Sequence, residues 1–135
     1  MTSRTFSKDI LTFSKDIKLS HSLFSFPFVG ASLIIARTPL GLKSLLLILV
    51  SLTCARSFAM GMNRYLDKDV DSKNPRTAKR ALPANEMKSS RALLISLGFG
   101  ILFILSTLLY NKLAFLSSIP VLIILGLYPF TKRWT

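Results

Sequence analysis

The sequence predicts an all-α fold, a polytopic bundle of transmembrane helices. Three observations predict it. Half of the 135 residues are hydrophobic and mean hydropathy is +0.49, a balance ordinary for membrane proteins and unusual for soluble domains. Four apolar stretches, near 19–36, 44–66, 92–111 and 113–131, each approach the roughly 20 residues needed to cross a bilayer. Basic residues are distributed unevenly about these stretches. Fourteen of the 18 Lys and Arg fall in residues 1–18, 64–91 and 132–133, while Arg37, Lys43 and Lys112 lie on the opposite side. By the positive-inside rule, the N-terminus, the polar loop 67–91 and the C-terminal end are cytoplasmic.

Residues 1–18 read as a cytoplasmic tail ahead of one membrane domain, 19–135. They contain a short duplication, Thr5–Leu11 (TFSKDIL) followed by Thr12–Lys18 (TFSKDIK). Phe6, Ile10, Phe13 and Ile17 recur at helical spacing, so an amphipathic helix lying on the membrane is one expectation and a loose tail the other. With no secretory cleavage pattern, the N-terminus reads as retained.

From Leu19 to Ala36 no residue is formally charged, which predicts a first span despite Pro27 and Gly30. His21, the sole histidine, stands at its start and reads as an interfacial hydrogen-bonding residue. A turn follows through Arg37, Pro39, Gly41 and Lys43. The second span, 44–66, is interrupted by Arg56, a costly residue at such a depth that asks for a polar partner. At 100° per residue Arg56 lies about 20° around the helix from Asn63, on the side of the polar loop. Cys54, the only cysteine, reads as a small buried hydrophobe. The third and fourth spans are separated near Lys112, and Pro120 and Pro129 predict a kink or broken end in the fourth.

The net charge of +12 is compatible with nucleic acid, but apolar runs of this length favour anionic lipid or a phosphorylated ligand. No phosphate-loop, zinc or nucleotide fingerprint is present. The chemistry is concentrated between Asn63 and Pro83. Asn63, Asp67 and Asp71 are spaced by four residues and share one helical stripe, with Asp69 turned away. Two carboxylates one turn apart repel, and so are understandable with a cation between them. Magnesium commonly takes one or two carboxylates and completes its shell with water and substrate phosphates. The basic run Lys73, Arg76, Lys79 and Arg80 would meet the remaining phosphate charge. Spacing alone leaves a solvated, positively charged loop equally open.

Asn63-x-x-x-Asp67-x-x-x-Asp71, followed by Arg76-Thr77-x-x-Arg80-x-Leu82-Pro83, resembles the first aspartate-rich motif of the UbiA family of intramembrane prenyltransferases. The closing Tyr128-Pro129-Phe130-x-Lys132-Arg133-x-Thr135 resembles the next marker of its 4-hydroxybenzoate polyprenyltransferase branch, and Arg56 matches a further family position. The resemblance runs from about His21 to the end and corresponds to the N-terminal half of such an enzyme. It implies transfer of a polyprenyl group from its diphosphate to 4-hydroxybenzoate or a related aromatic acid in quinone (ubiquinone) synthesis. A naphthoate-type acceptor, as in menaquinone synthesis, is the alternative.

The resemblance also implies roles. Asp67 and Asp71 would hold Mg2+, and Asn63 would orient the diphosphate. Arg76, Arg80, Lys132 and Arg133 would neutralise the leaving group, with Arg56 and Lys73 contributing to diphosphate binding. The implied location is a bacterial or mitochondrial inner membrane, with lipid as the surroundings and no nucleic-acid partner. Two departures stand out. Arg64 occupies a position where many members carry a third carboxylate. The second aspartate motif, expected to face the first, is not found in these 135 residues. A truncated non-catalytic fragment, or one half of a split enzyme completed by a second chain, are therefore the alternatives to an enzyme-family sequence.

Overall fold

The computed structural model describes residues 6–36 and 41–131, and all of its regular structure is helical. In order these are α1 (Phe6–Asp16), a 3-10 helix (Leu19–Ser25), α2 (Phe26–Ala36), α3 (Leu42–Leu66), α4 (Lys68–Lys73), α5 (Ser89–Leu108) and α6 (Lys112–Thr131). Three of them, α3, α5 and α6, are long and apolar enough to cross a membrane. At 1.5 Å per residue α3 is ~37 Å long and α5 and α6 ~30 Å each, against a hydrocarbon core of about 30 Å.

The expected first span, 19–36, is made of two abutting helical elements rather than one α-helix: the 3-10 helix ends at Ser25 and α2 begins at Phe26. Pro27, the second residue of α2, sits in the first turn of that helix, where its missing N–H leaves no intrahelical hydrogen bond unmade. With 11 residues, α2 is ~16 Å long, about half the hydrocarbon core. In α6 the helix runs on through both Pro120 and Pro129.

α3 packs against α5 along most of its length, and α6 closes against both. Small residues permit the approach. Ser57 and Ser96 are completely buried, and each hydroxyl donates to the carbonyl four residues earlier, Thr53 and Ala92. Such serines present a small apolar-sized surface with their polarity already satisfied, which suits helix contacts in lipid. A Cβ on Gly61 of α3 would fall 2.1 Å from Ser96 Oγ, so the two backbones meet there at glycine distance. Deeper in the pair, Ser51 Oγ lies 2.7 Å from Ser106 Oγ. Ser51→Ala should cost only about 0.6 kcal/mol in an unfolding titration, since Ser106 keeps the Phe103 carbonyl as an acceptor. At the far end of the pair Tyr110 donates to the Ser44 carbonyl, and burial pushes its phenol above the ordinary range.

The segment ahead of the first apolar run is docked rather than loose. α1 buries Asp9 and Phe13, while Phe6 and Ile10 on its flank stay exposed. Phe13 and Ile17 join Leu82, Met87, Ala92 and Ile95 in one core, against which Leu19, Met60 and Phe99 also pack. Phe13 stacks on Phe99 with ring centroids 6.1 Å apart. The polar connection between α3 and α5 is therefore a folded lobe. Its Ala81, Leu82 and Met87 are buried beneath α1, at the end of the bundle where α3 finishes and α5 starts.

Candidate functional site

The site is built where α3 gives way to α4. The helix pauses at Asp67, which has φ −84° and ψ 3°, and resumes at Lys68. The four-residue rhythm survives the pause: Asp67 N donates to Asn63 O at 2.9 Å and Asp71 N to Asp67 O at 2.7 Å. Asp67 and Asp71 consequently share a face, and that face points inward, leaving them 6% and 7% exposed. Asp69 is exposed, turned away as its phase requires.

The chain then folds back over these carboxylates. Asn74 precedes Pro75, a pairing that favours turns, and its side-chain Oδ1 accepts from Arg76 N at 3.0 Å. Its carbonyl accepts from the backbone N–H groups of Thr77 and Ala78. Thr77 Oγ1 donates to the Asp71 carbonyl at 3.0 Å, pinning the returning strand of the turn to α4. Arg80 completes the closure through Nη1, which donates to Asp71 Oδ2 at 2.6 Å. Charge-assisted pairs of this kind are short and directional, and here the carboxylate is 10% exposed.

Between these elements lies a cavity of about 450 Å3 lined by Asp67, Val70, Asp71, Asn74, Arg76, Thr77 and Arg80. That volume is within the range of small-molecule sites. Four of the sequence-predicted site residues, Asp67, Asp71, Arg76 and Arg80, are thus brought onto one wall. Others are not. Asn63 contributes its carbonyl to the helix and is half-buried outside the lining, and Lys73 is exposed at the end of α4. Arg56 is half-buried two turns back along α3, ~10 Å deeper, and also stands off the cavity. Lys132 and Arg133 lie outside the described residues. His21 falls within the 3-10 helix.

The lining also contains residues that sequence reading passed over. Asn74 and Thr77 shape the cavity through backbone and hydroxyl hydrogen bonds, and the Asn-Pro pair was the available signal. A wider omission was Asp16. It belongs to α1, yet its carboxylate accepts from Ala81 N at 3.1 Å and lies 3.4 Å from Arg64 Nε. No local pattern in a sequence announces a contact across 65 residues.

The donor chemistry can be tested against a metal. Among the described residues no three His, Cys, Asp or Glu side chains converge as a ligand set. What the cavity offers is two carboxylates one helical turn apart, with hard oxygen donors only and two arginines beside them. That set fits Mg2+ shared with a phosphate group, whose oxygens and waters complete the shell, better than a caged Ca2+ or Zn2+.

Comparison with known proteins places this geometry in a family. The family model of the UbiA prenyltransferase family matches residues 24–135. A "4-hydroxybenzoate octaprenyltransferase" of Shewanella amazonensis is 30% identical over 120 residues, which cover 89% of this chain and 41% of that protein. The protein of the same description in Shewanella oneidensis is 34% identical over 94 residues, covering 70% of this chain and 33% of its own. The apo structure of a UbiA homolog from Aeropyrum pernix K1 superposes with a TM-score of 0.80 at 32% identity, covering 85% of this chain and 42% of that one. The chain therefore spans about two-fifths or less of the length of these relatives. Its three apolar helices mark it as an integral membrane protein. With the match extending over well over half of its length, the chain belongs to the UbiA prenyltransferase family.

Proposed function

We propose that this chain forms the diphosphate-binding part of a magnesium-dependent aromatic prenyltransferase. The reaction would move a polyprenyl group from its diphosphate to 4-hydroxybenzoate or a related aromatic acid. The observation that carries the reading is the convergence of Asp67, Asp71, Arg76 and Arg80 on one cavity at the end of a membrane bundle. The names of the similar Shewanella proteins support the acceptor.

The residues divide the work by charge. Cleavage of an allylic diphosphate separates a carbocation from an anion, so fixed cations near the leaving oxygens lower the barrier. Arg76 and Arg80, both on the cavity wall, would bind those oxygens, and Arg geometry suits bidentate contact. Lys132 and Arg133 are proposed to add to the same rim, with Asn63 and Lys73 close by in sequence. Arg56, far from either end of α3, is proposed to face the substrate from below. Asp67 and Asp71 would hold Mg2+, which supplies charge neutralisation and Lewis acidity to the diphosphate. The apolar helices would accommodate the prenyl tail and keep water from the reacting carbon. The polar lobe and both ends of the chain are assigned to the cytoplasmic side from the distribution of Lys and Arg.

The test is prenyl transfer from a radiolabelled polyprenyl diphosphate to 4-hydroxybenzoate by membranes containing the protein, with and without EDTA. Transfer that depends on magnesium supports the proposal, and transfer unaffected by EDTA overturns the metal assignment. The purified 135-residue protein by itself is expected to bind diphosphate without turnover, because one carboxylate pair is a weak scaffold for neutralising a diphosphate leaving group. Measurable prenylation by it alone would contradict that expectation.

A further inference from the structure

α1, which lies ahead of the family match, is tied at three points to the lobe that carries the cavity and to the helix ends that flank it. Asp16, at the end of α1, accepts from Ala81 N at 3.1 Å and lies 3.4 Å from Arg64 Nε. Asp9, 1% exposed and two turns earlier, pairs with Arg91 near the start of α5. These three partners bracket the lobe: Arg64 closes α3 just before it, Ala81 lies within it, and Arg91 opens α5 just after it. Phe13 and Ile17 fill the space between, packing with Leu82 and Met87 of the lobe.

We propose that α1 is a strap that positions the cavity-bearing lobe, with Asp16 as the positioning residue for the diphosphate site. Ala81 directly follows Arg80, whose guanidinium holds Asp71 on the cavity wall. Fixing the Ala81 N–H therefore fixes the backbone from which Arg80 reaches. Asp16 acts on charge as well. Arg64 lies 3.4 Å from Asp16 and also feels the charges of Arg80, Asp71 and Asp67, so it responds to both the strap carboxylate and the site carboxylates. Its Nε is buried and makes no hydrogen bond, so nothing directional at that atom holds Arg64 away from the site; the ionic attraction of Asp16 does. With the Asp16 charge removed, Asp71 and Asp67 become the anions within its reach, and Arg64 competes with Arg80 and with any bound cation. The unusual Arg64 is thereby balanced by an acid supplied from a different helix.

The part of this proposal that concerns ligand binding rests on the diphosphate reading, and the test separates the two. Full chain in lipid nanodiscs is compared as wild type, Asp16→Asn, and Asp16→Asn with Arg64→Gln. Amide hydrogen exchange is followed across residues 77–86 and across α5, and the affinity for inorganic pyrophosphate with Mg2+ is measured by calorimetry. Asp16→Asn should speed exchange in 77–86 by about tenfold, the scale of one hydrogen bond to a charged acceptor, while α5 from Ile95 onward is unchanged. Pyrophosphate affinity should fall by about tenfold and recover when Arg64→Gln removes the uncompensated cation. A merely structural role predicts the reverse, a double variant weaker than the single. Unchanged exchange across 77–86 in Asp16→Asn overturns the strap outright. If wild type fails to bind Mg2+ with pyrophosphate, the diphosphate reading falls, and the exchange comparison still decides the strap.

Discussion

Asp71→Asn is expected to lower the affinity of the full chain for magnesium pyrophosphate by about 100-fold or more, the scale of removing one well-placed charged group from an electrostatic site. The change keeps the shape of the side chain and deletes its charge. Two things are lost together: a carboxylate suited to Mg2+, and the anionic partner of Arg80 at 2.6 Å. The fold of the turn should survive, because Thr77 Oγ1 donates to the main-chain carbonyl of Asp71, which the substitution does not touch. Asp67→Asn should weaken binding through the loss of a metal-suited carboxylate and leave the Arg80 pair in place. Calorimetric titration with pyrophosphate at fixed magnesium measures both. Affinities within a few-fold of wild type in the two variants would remove these carboxylates from the site.

The second large effect concerns the bundle. Gly61→Ala should destabilise the protein by about 2–3 kcal/mol, and Gly61→Leu should prevent α3 and α5 from packing. An added Cβ would lie 2.1 Å from Ser96 Oγ and 2.6 Å from Phe13 Cζ. Neither neighbour can easily withdraw. Ser96 is fully buried with its hydroxyl engaged at the Ala92 carbonyl, and Phe13 is 1% exposed and stacked on Phe99. The strain would separate α3 from α5 or expel α1 from the lobe. Gly98 on α5 is the control, since nothing lies within 4 Å of a Cβ built there. Gly98→Ala should leave denaturant unfolding of the purified protein unchanged or slightly favour the folded state. Equal effects at the two glycines would discount the close approach.

Much of the site was legible because its residues are local. Asp67, Asp71, Arg76 and Arg80 lie within 14 positions, and helical phase alone puts the two carboxylates on one side. Arg56 and Lys73 were grouped with them by charge and resemblance, yet a cavity selects by direction and depth. Lys73 ends α4 facing outward, and Arg56 sits about three turns along α3 from Asp67, off the lining. The first apolar run was read by hydropathy, which counts side chains and is blind to the N–H that Pro27 lacks. The structure divides that run into a 3-10 helix and a short α2, with Pro27 in the first turn of α2, where its missing donor is best tolerated.

By itself the sequence determined the all-helical membrane class, the placement of three long spans and the aspartate and arginine pattern of the family. Those properties depend on composition, period and short spacing, which a linear chain displays directly. Only the tertiary structure decided that α1 docks, that the polar stretch is a packed lobe, and that Asp16 stands against Arg64 and Ala81. Each of those depends on which distant surfaces find complementary shape and charge. Phe13 and Asp9 are buried, and Asp16 is held by its partners, only once the lobe is in place.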